Sequence, residues 1–162
     1  MIHSYPSVYA LGHRAVKDIL LDPVIVQEKV DGSQISFGRY PNEGPTLHIR
    51  SKGAELQVLA PEKMFLAGIK AIQAVEDKLG PGWVYRGEYL AKPKHNALAY
   101  DRIPQNHIAL FDVEVAVQEY LPPDGVRVEA ERLGFEATPT LRQGMLPSVD
   151  DFRALLETPS FL

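Results

Sequence analysis

VIVQEKVDGSQISFGRY, residues 24–40, decides how this chain is read. Val24, Val26 and then Val30 lead in. Asp31-Gly32 interrupts the run, and Ile35 and Phe37 then alternate with Gln34, Ser36 and Gly38. Alternation with period two marks strands, and Asp-Gly between two such runs is a turn signal. The stretch therefore reads as two strands about the Asp31-Gly32 turn, with Lys29 aimed inward just before it. Lysines are rarely placed so, because the ammonium loses several kcal/mol of hydration. A salt bridge to Glu28 or Asp31, or snorkelling, is the plain explanation. The chemical one is nucleophilic catalysis, since a desolvated amine flanked by cations loses its proton and attacks an electrophile.

Outward from this stretch the pattern stays mixed. PNEGP at 41–45 is a turn cluster and TLHIRSKG at 46–53 a third short strand. From Pro61 to Leu79 the period changes: Phe65, Ile69, Ile72, Val75 and Leu79 recur as on an amphipathic helix, closed by GPG. WVYRGEYL at 83–90 alternates like a strand. Residues 91–107 have no period and hold two prolines, so they read as a long loop, a kind usually functional or disordered. IALFDVEVAV at 108–117 reads as a buried strand. A helix is expected near 123–133 with Gly134 as its stop, and another over 148–157 with Ser148 as N-cap and Asp151 three residues on. Strands and helices in this order predict an α+β fold, mostly antiparallel sheets flanked by helices, with residues 1–162 as a single domain.

Composition narrows the chemistry. A chain of 162 residues with 45% hydrophobic and 23% charged residues can build its own core. The absence of cysteine removes disulfides, thiolate zinc sites and cysteine nucleophiles together, and suits a reducing cytoplasm. A net charge of −4 means that any polyanion site has to be a local basic patch. No segment approaches the roughly 18 apolar residues of a membrane span, and the first residues are not built like a signal peptide.

Lys-x-Asp-Gly alone is a weak signal. Here EKVDGS is followed, in order, by IRSKG at 49–53, YRGEYL at 85–90 and LFDV at 110–113. The series resembles the covalent nucleotidyltransferase superfamily of polynucleotide ligases and capping enzymes. RGEYLAKPKHNALAYDRIPQNHIALFDV looks most like its RNA ligase branch, especially the phage-type ATP-dependent RNA ligases. The resemblance covers about residues 24–113. It implies a ligase adenylation domain with nucleotide held in a groove between sheets, in a bacterial or phage-infected cytoplasm.

Carried onto matching residues, the resemblance makes Lys29 the nucleophile that attacks the α-phosphorus of ATP and holds AMP through a phosphoramidate bond. Glu28 matches the residue facing the adenine amino group, and Phe111 the aromatic that stacks on adenine. Arg50 matches a ribose- or phosphate-binding position. Glu88 matches the carboxylate that contacts ribose or a metal-bound water, with Mg²⁺ as the expected cation. Asp31 and Gly32 complete the nucleotide set as turn and close-approach residues. In the loop, Lys92, Lys94 and Arg102 are the candidate contacts to RNA phosphates, and Tyr100 a platform for an unpaired base. The expected partner is RNA with 5′-phosphate and 3′-OH ends. The family also carries a later strand with EG and another with KxK, and neither follows residue 113. Three readings stand side by side: a piece of a longer ligase, a partner or second copy that supplies those motifs, or a relative that binds nucleotide without transferring it.

Overall fold

The computed structural model describes residues 2–162. The chain divides into two compact units. Unit 1 comprises residues 1–4, 30–138 and 162; unit 2 comprises residues 5–29 and 139–161.

Unit 1 is built on a six-stranded sheet. Its strands are β2 (Ser33–Arg39), β3 (Leu47–Ser51), β4 (Val84–Tyr89), β5 (Ile108–Ala116), β6 (Glu119–Tyr120) and β7 (Glu136–Ala137). The order is β3-β2-β4-β5-β6, antiparallel throughout, with β7 added parallel to β5. Strand parity then sorts the side chains. Ile35 and Phe37 of β2, Leu47 and Ile49 of β3, Tyr85 and Tyr89 of β4, and Ile108 and Leu110 of β5 are all buried. Two helices cover this apolar face. α1 (Leu66–Gln73) buries Ile69 and Ile72, and α2 (Pro123–Leu133) buries Val126, Ala130 and Leu133. Phe37 sits at the centre, stacked on Tyr85 at 5.3 Å and edge-on to Phe135 at 5.9 Å.

The helix stops have local causes. α2 starts with Pro123 at its first positions and ends at Gly134, whose φ of 77° is the left-handed cap expected from the sequence. α1 is shorter than the periodicity of 61–79 predicts. It carries no side-chain cap at Phe65, and Val75 (φ −121°) leaves the helical region before a 3₁₀ turn over Glu76–Lys78.

Unit 2 holds a two-stranded antiparallel sheet of β1 (Val24–Gln27) and β8 (Thr140–Gly144), and α3 (Val149–Ala154). Ser148 caps α3 as expected, accepting from the Asp151 N–H at 3.2 Å. Among the described residues of this unit only Leu146 is buried.

The opening stretch departs from its reading. β1 and β2 are not a hairpin: β1 pairs with β8, while β2 pairs with β3 and β4. A two-residue hairpin of the Asp-Gly type needs positive φ at both positions. Neither Asp31 nor Gly32 has it. Lys29 is likewise not an inward strand residue. β1 ends at Gln27, a register shift between Val26 and Gln27 breaks the alternation, and Lys29 is exposed. Among the described residues no helix is long and apolar enough to cross a membrane.

Truncating the central aromatic tests this core. Phe37→Ala should lower stability by about 3–5 kcal/mol, read from a urea titration with unchanged m-value.

Candidate active site

The polar residues of the large sheet share one face. Across the strands, Arg50 lies opposite Ser36, Ser36 opposite Arg86, and Arg86 opposite Asp112. Two residues along, Gln34 lies opposite Glu88, and Glu88 opposite Ala109. Strand parity puts all of these on the side away from Ile35 and Phe37. Of the sequence-predicted residues, the register thus brings Arg50 and Glu88 to one face.

Arg86 was not among the predicted site residues, yet it anchors this face. Its side chain is fully buried, with Nη2 3.0 Å from Glu114 Oε2, and Nη1 donating to the His3 carbonyl at 2.9 Å and to Ser36 Oγ at 3.3 Å. Glu114 also accepts from the Gln118 N–H at 3.1 Å and faces His3 Nε2 at 3.3 Å. Burial pushes the Glu114 carboxyl up. The Gln118 N–H, the Arg86 guanidinium and His3 outweigh it, and the pKa lies below the ordinary carboxylate value. Arg50 also meets the N-terminal residues, donating to the Ile2 carbonyl at 2.7 Å and to Ser4 Oγ at 3.3 Å.

A bulge shapes β5. Arg86 faces Asp112 while Gly87 faces Leu110, so Phe111 has no opposite residue on β4. Bulges re-aim side chains and are common beside active sites. Phe111 is half-buried and stands outside the apolar cluster formed by its neighbours Leu110 and Val113.

Asp31 and Gly32 are held by the long loop rather than by a hairpin. Asp31 Oδ2 accepts from the N–H groups of Ala97 and Leu98, both at 2.8 Å. The Asp31 N–H donates to Tyr100 Oη at 2.7 Å, and Asn96 Nδ2 donates to the Gly32 carbonyl at 2.6 Å. Gly32 has no room for a side chain. A Cβ there would stand 2.6 Å from the Tyr89 carbonyl and 3.2 Å from Glu88 Oε2. Glu88 and Gly32 are therefore neighbours, which joins two of the predicted positions.

Lys29 and Glu28 belong to unit 2, where the Glu28 carboxylate accepts from Ser160 Oγ and from the Phe161 N–H at 3.1 Å. Arg102 makes a two-bond fork with Glu136 at 2.7 and 2.8 Å, while Lys92 and Lys94 are exposed. Among the described residues no group of three or more His, Cys, Asp or Glu could hold a metal ion by itself. Glu88 fits the other mode, in which Mg²⁺ takes one or two protein carboxylates and completes its shell with waters and substrate phosphates.

The model of a family described as RNA ligase matches residues 22–158, most of the chain. The chain belongs to the RNA ligase family. Its fold agrees. A Naegleria gruberi RNA ligase structure with PPi has a TM-score of 0.65 at 18% identity, over 90% of this chain and 44% of that one. A mutant of the Naegleria ligase with ATP and Mn gives 0.57 at 18% identity, over 78% and 38%. Another, with AMP and Mn, gives 0.59 at 17% identity, over 90% and 44%. This RNA ligase family member thus spans less than half the length of the solved ligases it matches. No curated protein matches it significantly.

The buried pair makes a prediction for this RNA ligase family member. Glu114→Gln leaves the Arg86 guanidinium uncompensated and should cost about 3–5 kcal/mol at neutral pH. Because the folded carboxyl is held below 4.5, the wild-type advantage is fully present above that value and is lost as pH falls below it. Melting temperatures of the two proteins measured from pH 7 down to pH 3 should converge.

Proposed function

We propose that this chain carries the nucleotide-binding and lysine-adenylylating part of an ATP-dependent RNA ligase. The observation that carries the reading is the family match over residues 22–158, which includes Lys29-Val30-Asp31-Gly32, together with the closeness of Gly32 to the Glu88 carboxylate.

In this reading the Lys29 amine attacks the α-phosphorus of ATP. A P–N bond forms, the bond to the bridging oxygen of the β-phosphate breaks, pyrophosphate leaves, and the amine gives up its proton. AMP is then passed to an RNA 5′-phosphate, and a 3′-OH displaces it to seal the ends. Phosphoryl chemistry of this kind needs an in-line nucleophile and positive charge on the phosphate oxygens. Phe111, set apart by the bulge, offers a face for adenine. Glu28 receives the adenine amino group once its bonds to Ser160 and Phe161 open. Arg50 and Glu88 hold ribose or phosphate. Mg²⁺, when bound beside Glu88, neutralises charge on the phosphates; the neighbouring structures with ATP or AMP and Mn support a nucleotide and a divalent cation. Lys92 and Lys94, exposed on the loop, track the RNA backbone. Arg102 contributes only if its fork to Glu136 is broken.

A second reading has its own observation. Lys29 is exposed rather than enclosed, which suits a module that binds nucleotide or RNA without transferring it. DNA ligation and capping are separated from RNA ligation by offering nicked DNA duplexes and 5′-triphosphate ends.

The deciding experiment incubates the chain with α-labelled ATP and Mg²⁺, denatures it, and follows label on the 18.0 kDa band. Label is expected on the wild type and absent from Lys29→Ala. A wild type that binds ATP but takes no label would favour the non-transferring module.

A further inference from the structure

The loop after β4 returns to one short turn from several directions at once. Besides the Asp31 and Gly32 contacts already described, His95 Nε2 lies 2.8 Å from Ser33 Oγ. Its other ring nitrogen, Nδ1, accepts from the Ala91 N–H at 3.0 Å. A backbone N–H can only donate, so Nδ1 must carry a lone pair and Nε2 must carry the proton. One tautomer, the neutral Nε2–H form, satisfies both bonds. The ring is further fixed edge-on against Tyr89, with centroids 5.7 Å apart. His95 thus ties the base of the loop, at Ala91, to the first residue of β2.

We propose that His95 is a positioning residue. As a neutral imidazole it fastens the loop over residues 91–100 to the Asp31–Ser33 turn, and so fixes the backbone that begins two residues after Lys29. The role in chemistry rests on Lys29 being the nucleophile; the clamp itself does not. Asp31 supplies the carboxylate that caps Ala97 and Leu98, and Tyr100 supplies the acceptor for the Asp31 N–H. Within the span between Ala91 and Asn96, the Pro93 carbonyl accepts from the Tyr100 N–H at 3.1 Å, and His95 supplies the side-chain bond to β2 at Ser33. A backbone held this way keeps a nucleophile near one orientation, which is what an in-line attack rewards.

The charged groups that face the ring are Asp31 and Lys92; Tyr89 of β4 and Ser33 of β2 complete its surroundings. Burial lowers its pKa from 6.5, Lys92 lowers it further, and Asp31 only partly opposes this. Protonating Nδ1 would set two donors against each other at Ala91. The clamp is therefore fully formed above pH 6.5 and loosens as pH falls through the lowered value.

The test combines two readouts on the intact chain. Peptide-resolved amide exchange over residues 29–34 and 91–100 reports the clamp, and the rate of label transfer from α-labelled ATP reports the chemistry. In His95→Phe, which keeps a ring but makes neither bond, protection of these amides should drop about tenfold, as for a lost hydrogen bond. Labelling should slow by at least as much. His95→Gln, whose amide can accept from Ala91 and donate to Ser33, should restore both and remove the loss of protection between pH 7 and pH 5. Ser33→Ala removes the partner oxygen and should reproduce the exchange effect if His95→Phe folds poorly. Unchanged protection in His95→Phe and Ser33→Ala, or a His95→Gln no better than His95→Phe, overturns the proposal. A wild type that takes no label while the exchange results follow expectation overturns the adenylylation reading and leaves the clamp standing.

Discussion

A guanidinium with no exposed surface sets the terms for the polar side of the large sheet. Arg86 cannot be neutralised by losing a proton, so its burial demands a permanent counter-charge and acceptors for its donors. Glu114 supplies the charge from β5, Ser36 an oxygen from β2, and the His3 carbonyl a third contact. These demands lock three neighbouring strands and the N-terminal residues to one another. They also hold the register in which Arg50, Glu88 and Asp112 share a face. An apolar residue at 86 would remove the electrostatic penalty for a slipped register and leave the buried apolar face alone to specify it.

The other face is governed by ordinary burial, and that half is legible in the sequence. Ile35 and Phe37, and Tyr85 and Tyr89, fall on every second residue because each strand has one dry side, so period two marks β2 and β4, while β5 shows as a nearly continuous apolar run. Gly134 likewise announces the end of α2 through its need for a positive φ. What stayed hidden has one cause: it depends on partners far away in the chain. The mostly exposed TLRQG has no apolar rhythm to betray β8. The bulge that frees Phe111 arises between strands rather than within one. Glu88 has Arg86 two residues away as an apparent partner, yet register hands Arg86 to Glu114.

Asp31-Gly32 shows the same limit from the other direction. The dipeptide was a sound turn signal, and the chain does change course there. Its chemistry is different from that of a hairpin, because the carboxylate caps two amides of the loop and the missing side chain makes space beside Tyr89 and Glu88. Catalytic motifs often use turn residues for close approach and hydrogen bonding together, so a turn reading and a functional reading need not compete. The loop over 91–107, without period in sequence, proves to be organised around that motif through His95, Asn96 and Tyr100.

The pairing of β1 with β8 has a consequence for how the molecule assembles. Val24 meets Gly144, and nearly the whole of unit 1 lies between them in sequence. Closing so long a loop in the unfolded chain is entropically unfavourable, whereas β2 finds β3 across a short connection. Once unit 1 has formed, the chain over residues 30–138 is no longer a free loop, and less entropy remains to be lost when β1 pairs with β8. Folding of the large sheet therefore lowers the entropic cost of pairing the two strands of the small one.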